Sequence, residues 1–124
     1  MTILKKQYYL YIENTNNIDL EKINKRYKFT IIYRNKKANE KIELIRKFRK
    51  KCQAKSIKFY LANDEKLAIK IKADGLYVSS YNKKKILKNF REIIGASHNS
   101  SEINLKIWQG CEKIIFSRLF SIFF

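Results

Sequence analysis

The apolar positions of this chain fall into blocks that alternate between two periods. "YYLYIEN" (Tyr8 to Asn14) is an aromatic and β-branched run of the kind that fits a pleated, buried surface. In "IDLEKINKRY" (Ile18 to Tyr27) the apolar residues Ile18, Leu20, Ile23 and Tyr27 recur near one helical face instead. "KFTIIYR" (Lys28 to Arg34) returns to the strand pattern. From Asn39 the residues Ile42, Leu44, Ile45, Phe48 and Cys52 then form an apolar stripe among lysines and arginines, which predicts a second helix. A third strand is expected at "IKFYLA" (Ile57 to Ala62), followed by a helix that Asp64 begins and whose inner face is Leu67, Ala68 and Ile71. Asp74-Gly75 turns the chain into a fourth strand, "GLYVSS", since Gly tolerates the positive φ that a tight αβ turn often uses.

The alternation continues to the end. "KKKILKNFR" (Lys83 to Arg91) reads as a fourth helix and "EIIGAS" (Glu92 to Ser97) as a fifth strand. Ser100 or Ser101 is the expected N-cap of a fifth helix, with Ile103, Leu105, Ile107 and Trp108 as its buried residues, and "CEKIIFSRLF" gives a sixth strand. The order βαβαβαβαβαβ, with short polar loops and no Pro/Gly/Ser linker, predicts an α/β fold built on a parallel sheet with right-handed crossovers, in a single domain over residues 1–124. Periodicity alone leaves a doubly wound sheet and a barrel both open. Neither GxGxxG nor GxxxxGK[ST] follows a strand, so dinucleotide and P-loop binding lose their usual support.

Composition adds a choice of partner. With 45% apolar residues in 124, the chain has enough for a real core. Its formal charge of +17, from 28 Lys and Arg against 11 Asp and Glu, favours a polyanionic partner, because neutralised phosphates release condensed counterions. The basic residues recur along the whole chain, however, in company with many Ile and Asn and with no Pro, which fits a composition bias on solvated faces as much as selection for a binding patch. A phosphate-bearing small ligand is therefore expected ahead of nucleic acid. Cys52 and Cys111 have no CxxC partner and no His at ligand spacing, so they read as buried reduced thiols. The N-terminal stretch lacks an apolar segment with a cleavage site, and no run approaches the ~18 apolar residues of a membrane span. A cytoplasmic protein with no membrane partner is expected.

Several stretches together resemble one family. Asn63-Asp64, then Ala73-Asp74-Gly75 and "LYVSSYN", then "IIGASH" ending in Ser97-His98, then "GCEKIIF" from Gly110 follow the order IND, ADGVHLGQxD, IIGxSxH and GADYIxxGPVF. That series is the pattern of the thiamine-phosphate synthase and thiazole tautomerase (TenI-like) superfamily, and "YRNK" (Tyr33 to Lys36) falls where it carries QLREK. The resemblance spans about residues 8 to 120 and implies a (β/α)8 barrel with its site at the C-terminal ends of the strands. It also implies an activity: joining hydroxymethylpyrimidine pyrophosphate to thiazole phosphate, with Mg²⁺ on the departing pyrophosphate. By position, Arg34 and Lys36 would clamp phosphate, Asn63 would supply an amide, Asp64 and Asn82 would hold the metal, and Ser97 would contact the leaving group. His98 stands where the tautomerase branch uses an acid/base histidine, which keeps that activity, or a non-catalytic homologue, as the alternative. Locally, Asp64 also reads as a helix N-cap and Asp74 as a structural cap of its turn.

The departures are specific. The second metal carboxylate of the family pattern is replaced by Asn82, and the His and Gln of HLGQ by Tyr77 and Ser80. Ile32 stands for the Gln of QLREK, and Ser117-Arg118 for the GP of GPVF. A whole (β/α)8 barrel needs about 200 residues or more, so the expectation is a partial TIM barrel of about five βα units plus a sixth strand, with strands seven and eight missing. Such a chain is expected to be impaired as a synthase and to self-associate through its open barrel edge.

Overall fold

The computed structural model describes residues 7–23 and 28–116. Its strands are β1 (Gln7–Ile12), β2 (Lys28–Tyr33), β3 (Lys58–Ala62), β4 (Gly75–Val78), β5 (Ile93–Ser97) and β6 (Lys113–Phe116). Between them lie a 3-10 turn (Leu20–Lys22) and the helices α1 (Ile42–Ala54), α2 (Glu65–Lys70) and α3 (Ser100–Trp108). The six strands pair in chain order, every neighbouring pair parallel.

The central strands β3, β4 and β5 are nearly continuous apolar runs because both of their faces are covered. Ile31, Tyr33, Phe59, Leu61, Leu76 and Val78 point outward into a core shared with the helices, where Ile45, Phe48 and Cys52 of α1 and Ala68 of α2 meet them. Ile32, Tyr60, Tyr77, Ile94 and Ala96 point the other way and form a second core of their own. That inner core shows that the sheet is curled. β1 and β4 are three strand spacings apart, roughly 14 Å on a flat sheet, yet the rings of Tyr11 and Tyr77 lie 5.7 Å apart, centroid to centroid. Tyr9 of β1 and Ile115 of β6 also pack on the same inner cluster. The architecture is a partial parallel β/α barrel, a curled half-barrel with its helices outside.

Asp74 is structural. Its carboxylate accepts from Arg49 Nη2 at 2.9 Å and from Phe59 N at 2.7 Å, joining α1 to the start of β3 just before β4 begins. Both cysteines are free, Cys52 fully buried and Cys111 partly so. Burial pushes the Cys52 thiol up to about 12 and that of Cys111 to about 11.

Three local expectations are corrected. The helix expected over Ile18 to Tyr27 is a 3-10 turn capped by Asp19, and Ile23 is already extended; residues 24–27 lie outside the described residues. The helix expected over Lys83 to Arg91 is an irregular loop. Its backbone groups are claimed from outside: Asn82 Oδ1 accepts from Lys84 N, Glu65 Oε1 accepts from Leu87 N and Lys88 N, and Gln109 Nε2 donates to Lys84 O. On α3 the cap is Asn99, not Ser100 or Ser101, and Ile107 and Trp108 are exposed while Lys106 is fully buried. The helix is rotated so that Lys106, whose ammonium finds two acceptors, takes the inward position. In the expected α1 stripe, Ile42 and Leu44 also face solvent. The described part of the sixth strand ends at Phe116, and residues 117–120 of that expectation lie outside the described residues.

Candidate active site

All seven residues singled out in the sequence stand at or just beyond the C-terminal ends of strands. Arg34 and Lys36 follow β2, Asn63 and Asp64 follow β3, Asn82 lies in the loop after β4, Ser97 ends β5 and His98 follows it. This placement follows from topology: in a parallel sheet every strand leaves at the same end, so residues distant in sequence gather on one rim.

The rim is organised around Asn63. Its φ of 64° lies in the left-handed region, which Asn enters more readily than most side chains. Its Oδ1 accepts from Ser79 N at 3.0 Å, Ser79 Oγ at 3.1 Å and Asn82 Nδ2 at 3.0 Å, and its Nδ2 donates to Tyr81 Oη at 3.2 Å. Asn63 and Asn82 are thus brought into direct contact, tying the ends of β3 and β4 together. Asp64 faces the adjoining helix: its Oδ1 accepts from Leu67 N at 3.0 Å and caps α2.

The cations are placed by aromatic rings. The Arg34 guanidinium lies 5.5 Å from the Tyr11 ring centroid and 5.7 Å from that of Tyr77, and Lys36 Nζ lies 5.6 Å from that of Tyr81. A cavity of about 760 Å³ opens here, lined among others by Arg34, Lys36, Asn63, Asp64, Lys66 and Lys84. A second, of about 520 Å³, enters the curled sheet between Tyr9, Tyr11, Arg34, Tyr77, Ser79 and His98. Arg34 lines both, so one guanidinium joins a basic rim to an aromatic interior. Burial, then the neighbouring Tyr11 hydroxyl, raises the Tyr77 phenol well above its usual value, so that ring is neutral at physiological pH.

Ser97 is placed differently. It is fully buried, lines neither cavity and donates from Oγ to Asn99 O at 2.6 Å. Its neighbour His98 is exposed, and its backbone N–H donates to Glu102 Oε2 at 3.3 Å.

Sequence reasoning missed the groups that support this rim. Ser79 and Tyr81 lie inside "LYVSSYN" and were within reach of it. Lys106 and Gln109 were not, because one lysine among many carries no signal. Lys106 Nζ donates to Asn82 O and Gln109 Oε1, both at 2.8 Å, and Gln109 Nε2 donates to Asn82 O at 2.8 Å. Burial holds the Lys106 ammonium below its ordinary pKa.

The donor set for a divalent ion is thin. Of the two carboxylates lining the larger cavity, Asp64 accepts a helix N–H through Oδ1 and Glu65 accepts two loop N–H groups through Oε1. Asn82 turns its Nδ2 to Asn63 and its Oδ1 to Lys84 N. Among the described residues no group of three or more His, Cys, Asp or Glu could hold a metal ion. Mg²⁺ takes near-octahedral oxygen coordination, usually from one or two carboxylates completed by substrate phosphates and waters, and Asp64 and Glu65 are the carboxylates that line this cavity.

Parallel β/α barrels carry their chemistry where the strands end, and it is there that this chain collects its basic, amide and aromatic groups. The model of the thiamine monophosphate synthase family (TMP-TENI) matches residues 12–121. The chain belongs to that family. No curated protein matches it in sequence.

Proposed function

We propose that the chain is a thiamine-phosphate synthase-like protein that takes phosphorylated substrates at the C-terminal rim. The observation that carries this reading is the meeting of Arg34 and Lys36 with the Asn63–Asn82 amide pair beside an aromatic cavity, inside the span of the family match. In the coupling reaction the bond from the pyrimidine methylene carbon to a pyrophosphate oxygen breaks first. The thiazole nitrogen then attacks the resulting cation, forming a carbon–nitrogen bond and leaving pyrophosphate. Arg34 and Lys36 would offset the charge that grows on the leaving group. The rings of Tyr11 and Tyr77 would hold the planar pyrimidine out of water beside Arg34.

The assay is formation of thiamine phosphate from the two purified substrates, together with calorimetric titration of the pyrophosphate substrate. Saturable binding that Arg34→Gln weakens at least tenfold is the expected result, with turnover well below one per second. Binding absent at millimolar substrate would end the reading.

One observation favours a second activity. His98 lines the aromatic cavity together with Arg34 and Ser79, a position from which an imidazole could move a proton on a bound thiazole phosphate. Under this tautomerase reading His98→Gln abolishes isomerisation of a thiazole phosphate while leaving its binding intact. Under the synthase reading the same substitution changes little.

A further inference from the structure

We propose that this rim binds a diphosphate-class anion without a divalent metal ion, its basic side chains supplying the countercharge that a bound Mg²⁺ would otherwise provide. The inference rests on the reading of the rim as a phosphate site and adds how that site works. Two independent features of the rim lead to it.

The first is what the oxygen donors are doing. Asp64, Glu65 and Asn82 each use a side-chain oxygen to accept a backbone N–H. Asn63 Oδ1 has three donors converging on it, Ser79 N, Ser79 Oγ and Asn82 Nδ2. Asn82 is central. A carboxylate at 82 would set two acceptors against each other across the contact that Asn63 Oδ1 now makes with Asn82 Nδ2, so the amide is part of the fold of the rim. An Asn also brings a metal no charge.

The second feature is the surplus of cations. Arg34, Lys36, Lys66 and Lys84 line the cavity against two carboxylates, Asp64 and Glu65. The ion pairs among the described residues join Arg46 to Glu43, Arg49 to Asp74, Lys55 to Glu21 and Lys113 to Glu92, so none of them uses these four. Arg34 and Lys36 are held against neutral rings, which orient a cation without cancelling its charge. A diphosphate offers several anionic oxygens to a planar guanidinium fork and to flexible ammonium groups. A divalent cation brought to the same rim would face four positive side chains, with Asp64 Oδ2 and Glu65 Oε2 as the carboxylate oxygens that the hydrogen bonds above leave to it.

The test uses the full chain and inorganic pyrophosphate as probe. Its affinity is measured by titration calorimetry at about 150 mM salt, first with EDTA and then with excess MgCl2. The expected result is saturable binding in EDTA within about threefold of that in Mg²⁺. Arg34→Gln with Lys36→Gln should weaken it at least tenfold, and the exposed pair Lys66→Gln with Lys84→Gln several-fold, with no change in melting temperature for the second pair. Binding seen only with Mg²⁺ overturns this inference and leaves the phosphate-site reading standing. Binding in neither condition overturns both. An unstructured oligonucleotide that displaces pyrophosphate at lower concentration than pyrophosphate itself binds would also overturn it, by assigning the rim to nucleic acid.

Discussion

At the scale of single residues, what decides a side chain's role here is which groups face it, and charge by itself says little. Asp74 is the clearest case. It lies in the same motif run as Asn82, but its two oxygens are occupied by Arg49 Nη2 and Phe59 N, so it fastens α1 to β3. Arg49 is nearly buried and also donates from Nε to Lys72 O at 3.0 Å, while its Nη1 has no hydrogen-bond partner. The pair is therefore satisfied only in part. An amide at 74 keeps one acceptor, so either Arg49 Nη2 or Phe59 N is left facing an NH2 group, and the nearly buried guanidinium loses its countercharge. Asp74→Asn should cost about 2–3 kcal/mol, read as a lower midpoint in urea with an unchanged slope. Pyrophosphate affinity of the folded variant should stay within twofold. A loss of affinity without loss of stability would show that Asp74 acts as a binding group instead.

The elements differ in how far they could be read along the chain. The central strands were legible because they are buried on both faces, so their own residues carry the signal: Phe59, Tyr60 and Leu61 in "KFYLA" and all five residues of "IIGAS" are buried. The order of strand ends was legible too, and with it the positions of Arg34, Asn63, Asp64 and Asn82. "KKKILKNFR" was misread because its amphipathic spacing is local, whereas its hydrogen bonds are not. They go to Glu65 on α2 and Gln109 beyond α3. The Lys106 clamp beneath that loop escaped for the same reason. It fits only because residue 95 has no side chain: a Cβ there would stand 2.6 Å from Cys111 Sγ and 2.9 Å from Lys106 Cδ. Lys106→Met keeps the stem and removes the donors to Asn82 O and Gln109 Oε1. We expect amide exchange in residues 82–88 to speed up about tenfold with strand protection unchanged, and about 1–2 kcal/mol lost. Burial depresses the folded pKa of Lys106, so over the interval from that value up to about 10.4 the unfolded chain holds more protons and stability rises with pH. The Met variant should lack that alkaline rise.

Across the whole molecule, we expect the two ends of the sheet to have separate tasks, as parallel β/α barrels commonly divide them. The rim at the C-terminal ends carries cations beside neutral rings and amides. At the opposite end Glu92 is held by Tyr60, whose hydroxyl donates to Oε1 at 2.7 Å, and by Lys113 Nζ at 3.3 Å. Burial alone would raise the Glu92 pKa, but the Tyr60 hydrogen bond and the Lys113 and Lys58 charges together hold it below the usual carboxylate value. The sign follows from the depressed folded pKa: the contribution is complete above the unfolded value of about 4.3 and is lost as pH falls through the lower folded value. Burial, then the hydrogen bond to Glu92 and its charge, pushes the Tyr60 phenol upward, so Tyr60 remains a donor throughout this range. Glu92→Gln keeps an acceptor for Tyr60 and removes the charge that meets Lys113. At pH 7 the variant should be about 1 kcal/mol less stable, and the difference should shrink toward zero as thermal melts are repeated from pH 5 down to pH 3. Pyrophosphate binding at pH 7 should not change, because Glu92 lies a full strand length from the rim. Arg34→Gln should do the reverse, weakening pyrophosphate at least tenfold while leaving the acid limb of the stability curve where it was. If Glu92→Gln weakened pyrophosphate as much as Arg34→Gln does, the two ends would be coupled and this division of tasks would be wrong.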